Sequence, residues 1–131
     1  MSGKNITFSQ IESNNEFSFR FPYEGKQRAE LTIRDHPREG RNVLLTIKRG
    51  QFMCGVSQCA VLVRFDDGKS TSYTAVGSTD HDPTVLFLAN QNGFVQQLRK
   101  AKLVRIEADV YHEGRRIFEF KADGFSHPLT K

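Results

Sequence analysis

Apolar and polar residues alternate along most of this chain with a period of two. In three stretches of the first half, every second residue is apolar: 17–21, 29–33 and 43–47. Successive side chains of a β-strand point to opposite faces, so this alternation is typical of strands with one face on a core. Prolines and glycines separate the stretches, as expected of turns. The pattern predicts a β-rich protein.

The middle of the chain continues this pattern with sharper turn signals. Asp66-Asp67-Gly68 contains the Asp-Gly pair typical of two-residue hairpins, so we predict that it joins a strand at 60–65 to one at 70–76. The uninterrupted apolar run 84–88 predicts a central strand that is buried on both faces. Two further alternating stretches predict the last pair of strands: 104–110 and 118–122.

One segment has helical spacing instead. It begins at Asn90 or Asn92, either of which can cap a helix, and extends to about Lys102. Apolar residues recur there every three or four positions, and basic residues lie in the last turn, where the helix dipole favours them. We therefore predict one helix, near the C-terminal third, among about eight or nine strands.

These elements predict an all-β, mainly antiparallel fold, either a β-sandwich or a partly closed barrel with one helix. The 131 residues suit one domain that is large enough to bury its own core. We assign residues 16–125 to this domain, and 1–15 and 126–131 to flexible ends. The residues on the apolar phase of each element are predicted to be buried: Phe19, Leu31, Leu45, Val63, Leu86, Phe87, Leu98, Ile106 and Phe118.

Cys54 and Cys59 are the only cysteines, and they flank residues 55–58 between strand-like stretches. The intervening Gly and Ser suit the tip of a hairpin, which favours a disulfide and hence an oxidising compartment. Two free, partly buried thiols are the first alternative, and a metal or redox role is the second. A redox role is disfavoured because thioredoxin-like cysteine pairs are separated by two residues, not four. A zinc site is disfavoured because it needs two more ligands.

The net charge and the targeting signals of the sequence indicate the location of the protein less clearly than the cysteines do. The formal net charge of +4 and the pI of 9.3 favour acidic partners, although many soluble domains share this balance. No stretch approaches the roughly 18 apolar residues of a membrane helix, so no membrane span is predicted. Residues 1–5 lack the apolar region of a signal peptide, so we expect no leader in this chain.

Several motifs between residues 16 and 125 resemble those of a known domain family. They are Phe17-x-Phe19-x-Phe21-Pro22-Tyr23-Glu24-Gly25, Lys48-x-Gly50-Gln51-Phe52-x-Cys54, Cys59 before Val63-Arg64-Phe65-Asp66-Asp67-Gly68, Val85-x-Phe87, and Lys100-Ala101-Lys102-x-Val104-Arg105-Ile106-Glu107 before Phe118-Glu119-Phe120. The family is an uncharacterised proteobacterial domain, often found behind a lipoprotein signal, a membrane anchor or a small zinc ribbon. The layout is also distantly similar to invasion-associated locus B proteins and type VI secretion accessory lipoproteins. The resemblance implies a periplasmic or envelope-associated protein, and the cytoplasm is the alternative location. No activity or site residues are established for the family, so none are assigned to this chain.

Catalytic chemistry has little support in the sequence. Asp80-His81-Asp82 and Asp66-Asp67 would suit a metal or an acid–base cluster if the fold brought them together, but a turn and a solvated loop are the plainer interpretation. The serines lack a nucleophile elbow, and the glycines lack the spacing of a phosphate loop. We predict a protein that is not an enzyme, with no catalytic, cofactor-binding or metal-binding residues.

Basic residues near the end of the predicted helix are the better functional lead. The candidate interaction patch consists of Arg99, Lys100, Lys102, Arg105, Arg115 and Arg116. Proteins that bind single-stranded nucleic acid add exposed rings to such a patch, and Phe52, Tyr73 and Tyr111 are the plausible ones here. We predict a non-enzymatic protein-binding or structural module of the bacterial envelope, with another protein as its partner. An OB-like nucleic-acid-binding domain is the alternative.

Overall fold

The computed structural model describes residues 7–37, 40–54 and 58–124. Within these ranges the chain forms eight strands, one α-helix and a 3₁₀ turn. The bounds are β1 (Thr7–Glu12), β2 (Glu30–His36), β3 (Gly40–Thr46), β4 (Cys59–Phe65), β5 (Thr71–Gly77), β6 (Val85–Leu88), α1 (Gln91–Lys100), β7 (Leu103–Val110), β8 (Gly114–Lys121) and the 3₁₀ turn Ala122–Gly124.

The strands form one antiparallel sheet in the order β1-β2-β3-β6-β5-β4-β7-β8. Its two edges approach each other: Asn14, just after β1, donates its backbone N–H to the carbonyl oxygen of Glu119 in β8 at 2.6 Å. The sheet is therefore a nearly closed barrel. This confirms the predicted antiparallel β fold with one helix in the C-terminal half.

Helix α1 covers one end of the barrel, here called the helix end. It lies in the connection from β6 to β7, which are separated in the sheet by β5 and β4. The ring of Phe94 packs 5.4 Å from that of Phe65 and 5.8 Å from that of Tyr73. Asn90 precedes the helix, as predicted, but it has a left-handed φ of 57° and makes no side-chain cap hydrogen bond.

The connection from β3 to β4 crosses the opposite end, here called the disulfide end. The loop between β1 and β2 covers the same end, and its Phe17 and Phe19 rings stack 5.0 Å apart. Phe118 of β8 packs edge-on against Phe17 at 5.1 Å and against Phe52 of the crossover at 6.2 Å. An aromatic cluster thus fills this end of the barrel from inside.

The core lies inside the barrel, where alternate residues of each strand point inwards. All the predicted core residues are buried except Phe87, which is half-buried. Strand β6 is central, as predicted, but it is not buried on both faces. Leu86 and Leu88 face the core, whereas Val85 and Phe87 lie on the partly exposed outer wall, because a barrel has one interior.

The structure differs from the sequence prediction at two places in the N-terminal part. The stretch 1–15, predicted to be a flexible end, contains β1, which pairs with β2 along its length. The stretch 17–21 is not a strand, since its pairing is the isolated bridge between Phe17 and Gln27. The predicted tail 126–131 lies outside the described residues.

Candidate docking surface at the disulfide end

A disulfide joins Cys54 to Cys59, whose Cα atoms are 5.0 Å apart, inside the range that suits a bridge. The predicted bond is present, but it does not lie at a hairpin tip. Cys59 begins β4 and pairs with Ala75 of β5. Met53, before the other cysteine, donates its backbone N–H to the carbonyl oxygen of Asp109 in β7 at 2.9 Å. The bridge therefore joins the β3–β4 crossover to the wall of the barrel.

Among the described residues, three large apolar side chains are exposed at this end. Phe21 is 80 % exposed, Met53 53 % and Tyr111 46 %. We call these three residues the apolar end surface. They come from three segments, namely the β1–β2 loop, the β3–β4 crossover and the turn after β7. Aromatic residues and Met are enriched at protein interfaces, so this composition is typical of a protein-binding surface.

Hydrogen bonds hold these three segments together. The backbone N–H of Arg20 donates to Oε2 of Glu113 at 2.7 Å. The side chain of Gln51 donates from Nε2 to the hydroxyl of Tyr23 at 2.5 Å. The backbone carbonyl oxygen of Gln51 accepts the backbone N–H of Tyr111 at 2.8 Å. The positions on both sides of the exposed phenylalanine are thus anchored to the segments that contain the rest of the apolar end surface.

A buried glutamine supports the base of the β1–β2 loop. Gln27 is 4 % exposed, and its Nε2 donates to the carbonyl oxygen of Arg49 at 2.8 Å. Its Oε1 accepts the backbone N–H of Lys48 at 2.8 Å and that of Arg49 at 3.1 Å. Next to them, Gly50 has a φ of +124°, and a Cβ there would lie 2.8 Å from the Phe19 ring. Glycine is therefore required at this position.

A cavity of about 280 Å³ opens beside the disulfide. Its rim includes His81 and Ser78, whose hydroxyl donates a hydrogen bond to the carboxylate of Asp80. That hydrogen bond is the main reason why the pKa of Asp80 lies below its usual value. The apolar wall is formed by Phe52, Cys54, Pro83, Val85 and Leu86. The cavity is therefore lined by both apolar and polar side chains.

The two acidic motifs of the sequence are not brought together. Asp66 lies at the helix end, where its Oδ1 accepts the backbone N–H groups of Lys102 and Leu103 at 2.9 and 3.0 Å. The loop 80–82 follows β5 at the disulfide end, and the seven residues of β5 span roughly 23 Å. Within the described ranges, no group of three or more His, Cys, Asp or Glu residues is placed to hold a metal ion.

Four residues of the candidate interaction patch lie at or near the helix end. Arg99 and Lys100 are exposed in the last turn of α1, and Lys102 is exposed just before β7. Arg105 follows on the outer wall of β7, where its Nε lies 2.9 Å from Oε2 of Glu119. These four residues form a basic region, in which Arg105 is partly neutralised by Glu119.

The other two residues of the candidate patch lie at the disulfide end, near the start of β8. The Nε atom of Arg115 is 3.6 Å from carboxylate oxygens of both Glu107 and Asp109. Arg116 pairs with Glu113 at 3.5 Å. Asp109 lies six positions along β7 from Leu103, which corresponds to roughly 20 Å. The six basic residues therefore do not form one continuous patch.

The exposure of the aromatic rings differs from the sequence prediction, and this difference bears on function. Phe52 and Tyr73, predicted to be exposed, are 8 % and 7 % exposed, whereas Tyr111 is exposed as predicted. Phe21 was missed because it alternates in phase with two buried phenylalanines. The signal against a strand was Pro22, which has no backbone N–H and therefore interrupts a ladder of hydrogen bonds.

Among the described residues, no helix is long and apolar enough to cross a membrane. No family model matches the chain, and comparisons with curated proteins and with solved structures gave no significant match. The family resemblance of the sequence motifs therefore stays a prediction.

Proposed function

We propose that this chain is a non-enzymatic protein-binding module that docks on another protein through its disulfide end. The observation that carries the proposal is the 80 % exposure of Phe21 on a loop that is hydrogen-bonded on both sides. Exposed aromatic anchors on ordered segments lose little conformational entropy on binding. Met53 and Tyr111 add exposed apolar area on the two segments to which this loop is hydrogen-bonded.

The alternative, an OB-like nucleic-acid binder, has weaker support. An OB-fold has about five strands, whereas this barrel has eight. Two of the three rings proposed for base stacking, Phe52 and Tyr73, are buried. In the candidate patch, Arg105, Arg115 and Arg116 each lie within 4 Å of a carboxylate. These facts favour a protein partner.

A location in the bacterial envelope is part of the same proposal. It is supported by the disulfide, because such bonds persist mainly in oxidising compartments, and by the motif resemblance to envelope-associated families. The test is the oxidation state of the two cysteines in the native host, measured by thiol alkylation and intact mass under acid quench. Complete alkylation of both thiols without reductant would contradict an oxidising location.

The docking surface is tested by photo-crosslinking in the native host. A photoreactive phenylalanine analogue is placed at Phe21, and a matched one at Ile117, which is also exposed, at 51 %, but lies on the outer wall. We expect a crosslinked protein at the first position and not at the second. The purified partner should then bind the Phe21→Ser variant at least about tenfold more weakly than wild type.

Two results would contradict this proposal. One is crosslinking that is equal at both positions, since that reports collision rather than docking. The other is crosslinking only to further copies of the chain, since the partner would then be the chain itself. Thermal unfolding of Phe21→Ser serves as the control, and its midpoint should match wild type because the ring contributes little buried area.

A further inference from the structure

A groove of about 460 Å³ lies on the outer wall of the barrel, across β2, β3, β6 and β5. Its volume falls in the range of ligand-binding pockets. The floor is apolar: Val76 of β5 and Phe87 of β6 are directly opposite each other in the sheet, and both line the groove. Val76 is 38 % exposed, so an apolar group can reach this floor from solvent.

Arg34 stands at one side of the groove. Its Nε and Nη2 both donate to Oδ1 of Asn42, at 3.3 and 2.9 Å, and both residues line the groove. A guanidinium carries five N–H donors, so one amide oxygen leaves several for a ligand. In the described part of the chain no carboxylate pairs with Arg34, whereas nearby Arg41 has its Nε 2.8 Å from Asp35.

An apolar floor beside an oriented guanidinium matches a ligand with an apolar group next to a carboxylate. Arginine binds carboxylates through two parallel hydrogen bonds, which are about twice as strong as neutral ones. The groove also contains the hydroxyl of Thr79 and the amide of Gln91. Such polar groups along a groove suit the backbone of a peptide better than the chain of a fatty acid.

We propose that this groove binds the C-terminal residue of a peptide, with its α-carboxylate on Arg34 and its apolar side chain on Val76 and Phe87. The site is separate from the apolar end surface, and it does not depend on the docking function proposed above. It would make the groove selective for proteins whose last residue is apolar.

The test is fluorescence anisotropy with a fluorescein-labelled peptide, Gly-Ser-Gly-Ser-Val-Leu, and with the same peptide ending in an amide. For the wild-type protein, we expect the free carboxylate to bind at least about tenfold more tightly than the amide. In Arg34→Met this preference should fall to about one, while binding of the amide stays unchanged. Arg64→Met is the matched control, because Arg64 is an exposed arginine of β4 outside the groove.

A second variant tests whether the apolar floor of the groove contacts the side chain of the peptide. Val76→Ser should weaken the peptide ending in Leu several-fold but leave a peptide ending in Ser unchanged, since only the former buries apolar area there. Equal binding of acid and amide, an unchanged preference in Arg34→Met, or no binding to the wild-type protein at 1 mM would each overturn the proposal. Displacement of the peptide by decanoate at a lower concentration than by unlabelled peptide would also overturn it, in favour of a fatty acid.

Discussion

Asn15 and Glu119 close the barrel through a side chain. The Oδ1 atom of Asn15 accepts the backbone N–H of Glu119 at 3.0 Å, and its Nδ2 donates to the carbonyl oxygen of Ile117 at 3.0 Å. One amide thus makes the two hydrogen bonds that a neighbouring strand would make to β8, just beyond the point where β1 ends. Glu119 also accepts the backbone N–H of Asn14.

The first prediction is that this amide contributes measurably to stability. Asn15→Ala removes both hydrogen bonds to β8, so it should lower the free energy of unfolding by about 1 to 3 kcal/mol. Amide exchange at Glu119 should accelerate, because the edge of β8 opens locally. The measurements are urea unfolding and hydrogen-exchange NMR. Gln10→Ala is the control, since it removes only an exposed side-chain bond to Glu30, and it should cost less than about 0.5 kcal/mol. Equal costs in both variants would contradict the role of Asn15.

The second prediction concerns the disulfide between Cys54 and Cys59. Replacing both cysteines by Ser should lower stability by about 2 kcal/mol, because the bridge closes a loop of about six residues and the entropy of so short a loop is small. The far-ultraviolet circular dichroism should stay the same, since the segments that the bridge connects are also held by backbone hydrogen bonds to β5 and β7. Urea unfolding of the variant beside the oxidised wild type measures the difference. Loss of the folded state would show that the bridge is essential.

The third prediction separates two neighbours in β6. Leu86 is 1 % exposed and faces the core, so Leu86→Ala should cost about 2 to 5 kcal/mol. Phe87→Ala should cost less than about half of that, because its half-buried ring returns less area to water on unfolding. Chemical unfolding of both variants tests the register of the strand. A larger cost for Phe87 would mean that the inward and outward faces are exchanged.

Much of this fold is accessible from the sequence, because period-two alternation reports directly which face of a strand meets the core. Strands β2, β3, β4, β5, β7 and β8 coincide with predicted stretches to within a few residues. Alternation fails where long-range context decides. Phe17 and Phe19 are buried on a loop, since they fill the end of the barrel instead of joining a ladder.

The candidate site was less predictable, for a physical reason. The apolar end surface is assembled from residues 21, 53 and 111, which are far apart in sequence and reach the same end of the barrel on segments linked by hydrogen bonds. The basic residues were visible as a composition feature, but their pairing with carboxylates depends on strand register. Arg105 lies opposite Glu119, and Arg115 lies opposite Asp109. Which residues face each other across two strands cannot be predicted from the sequence of one strand.

The last prediction assigns different kinetic roles to the two ends of the barrel. Exposed charges steer association over long range. Side chains that become buried in the interface set the rate of dissociation. We expect the combined Arg99→Ser, Lys100→Ser, Lys102→Ser and Arg105→Ser variant to bind the crosslinked partner with an association rate lowered several-fold at low salt. Its dissociation rate should stay close to that of wild type. Phe21→Ser should show the reverse, with faster dissociation and an unchanged association rate.

Surface plasmon resonance at low and moderate salt measures both rates. The matched control is Gln96→Ser with Gln97→Ser, which changes two exposed neutral residues on the same helix. Stability of the charge variant should fall by no more than about 1 kcal/mol for the ion pair of Arg105 with Glu119, because exposed pairs contribute little. If neither the salt concentration nor the four substitutions change the association rate, these residues belong to an ordinary solvated face. Faster dissociation of the charge variant would instead place the helix end inside the interface.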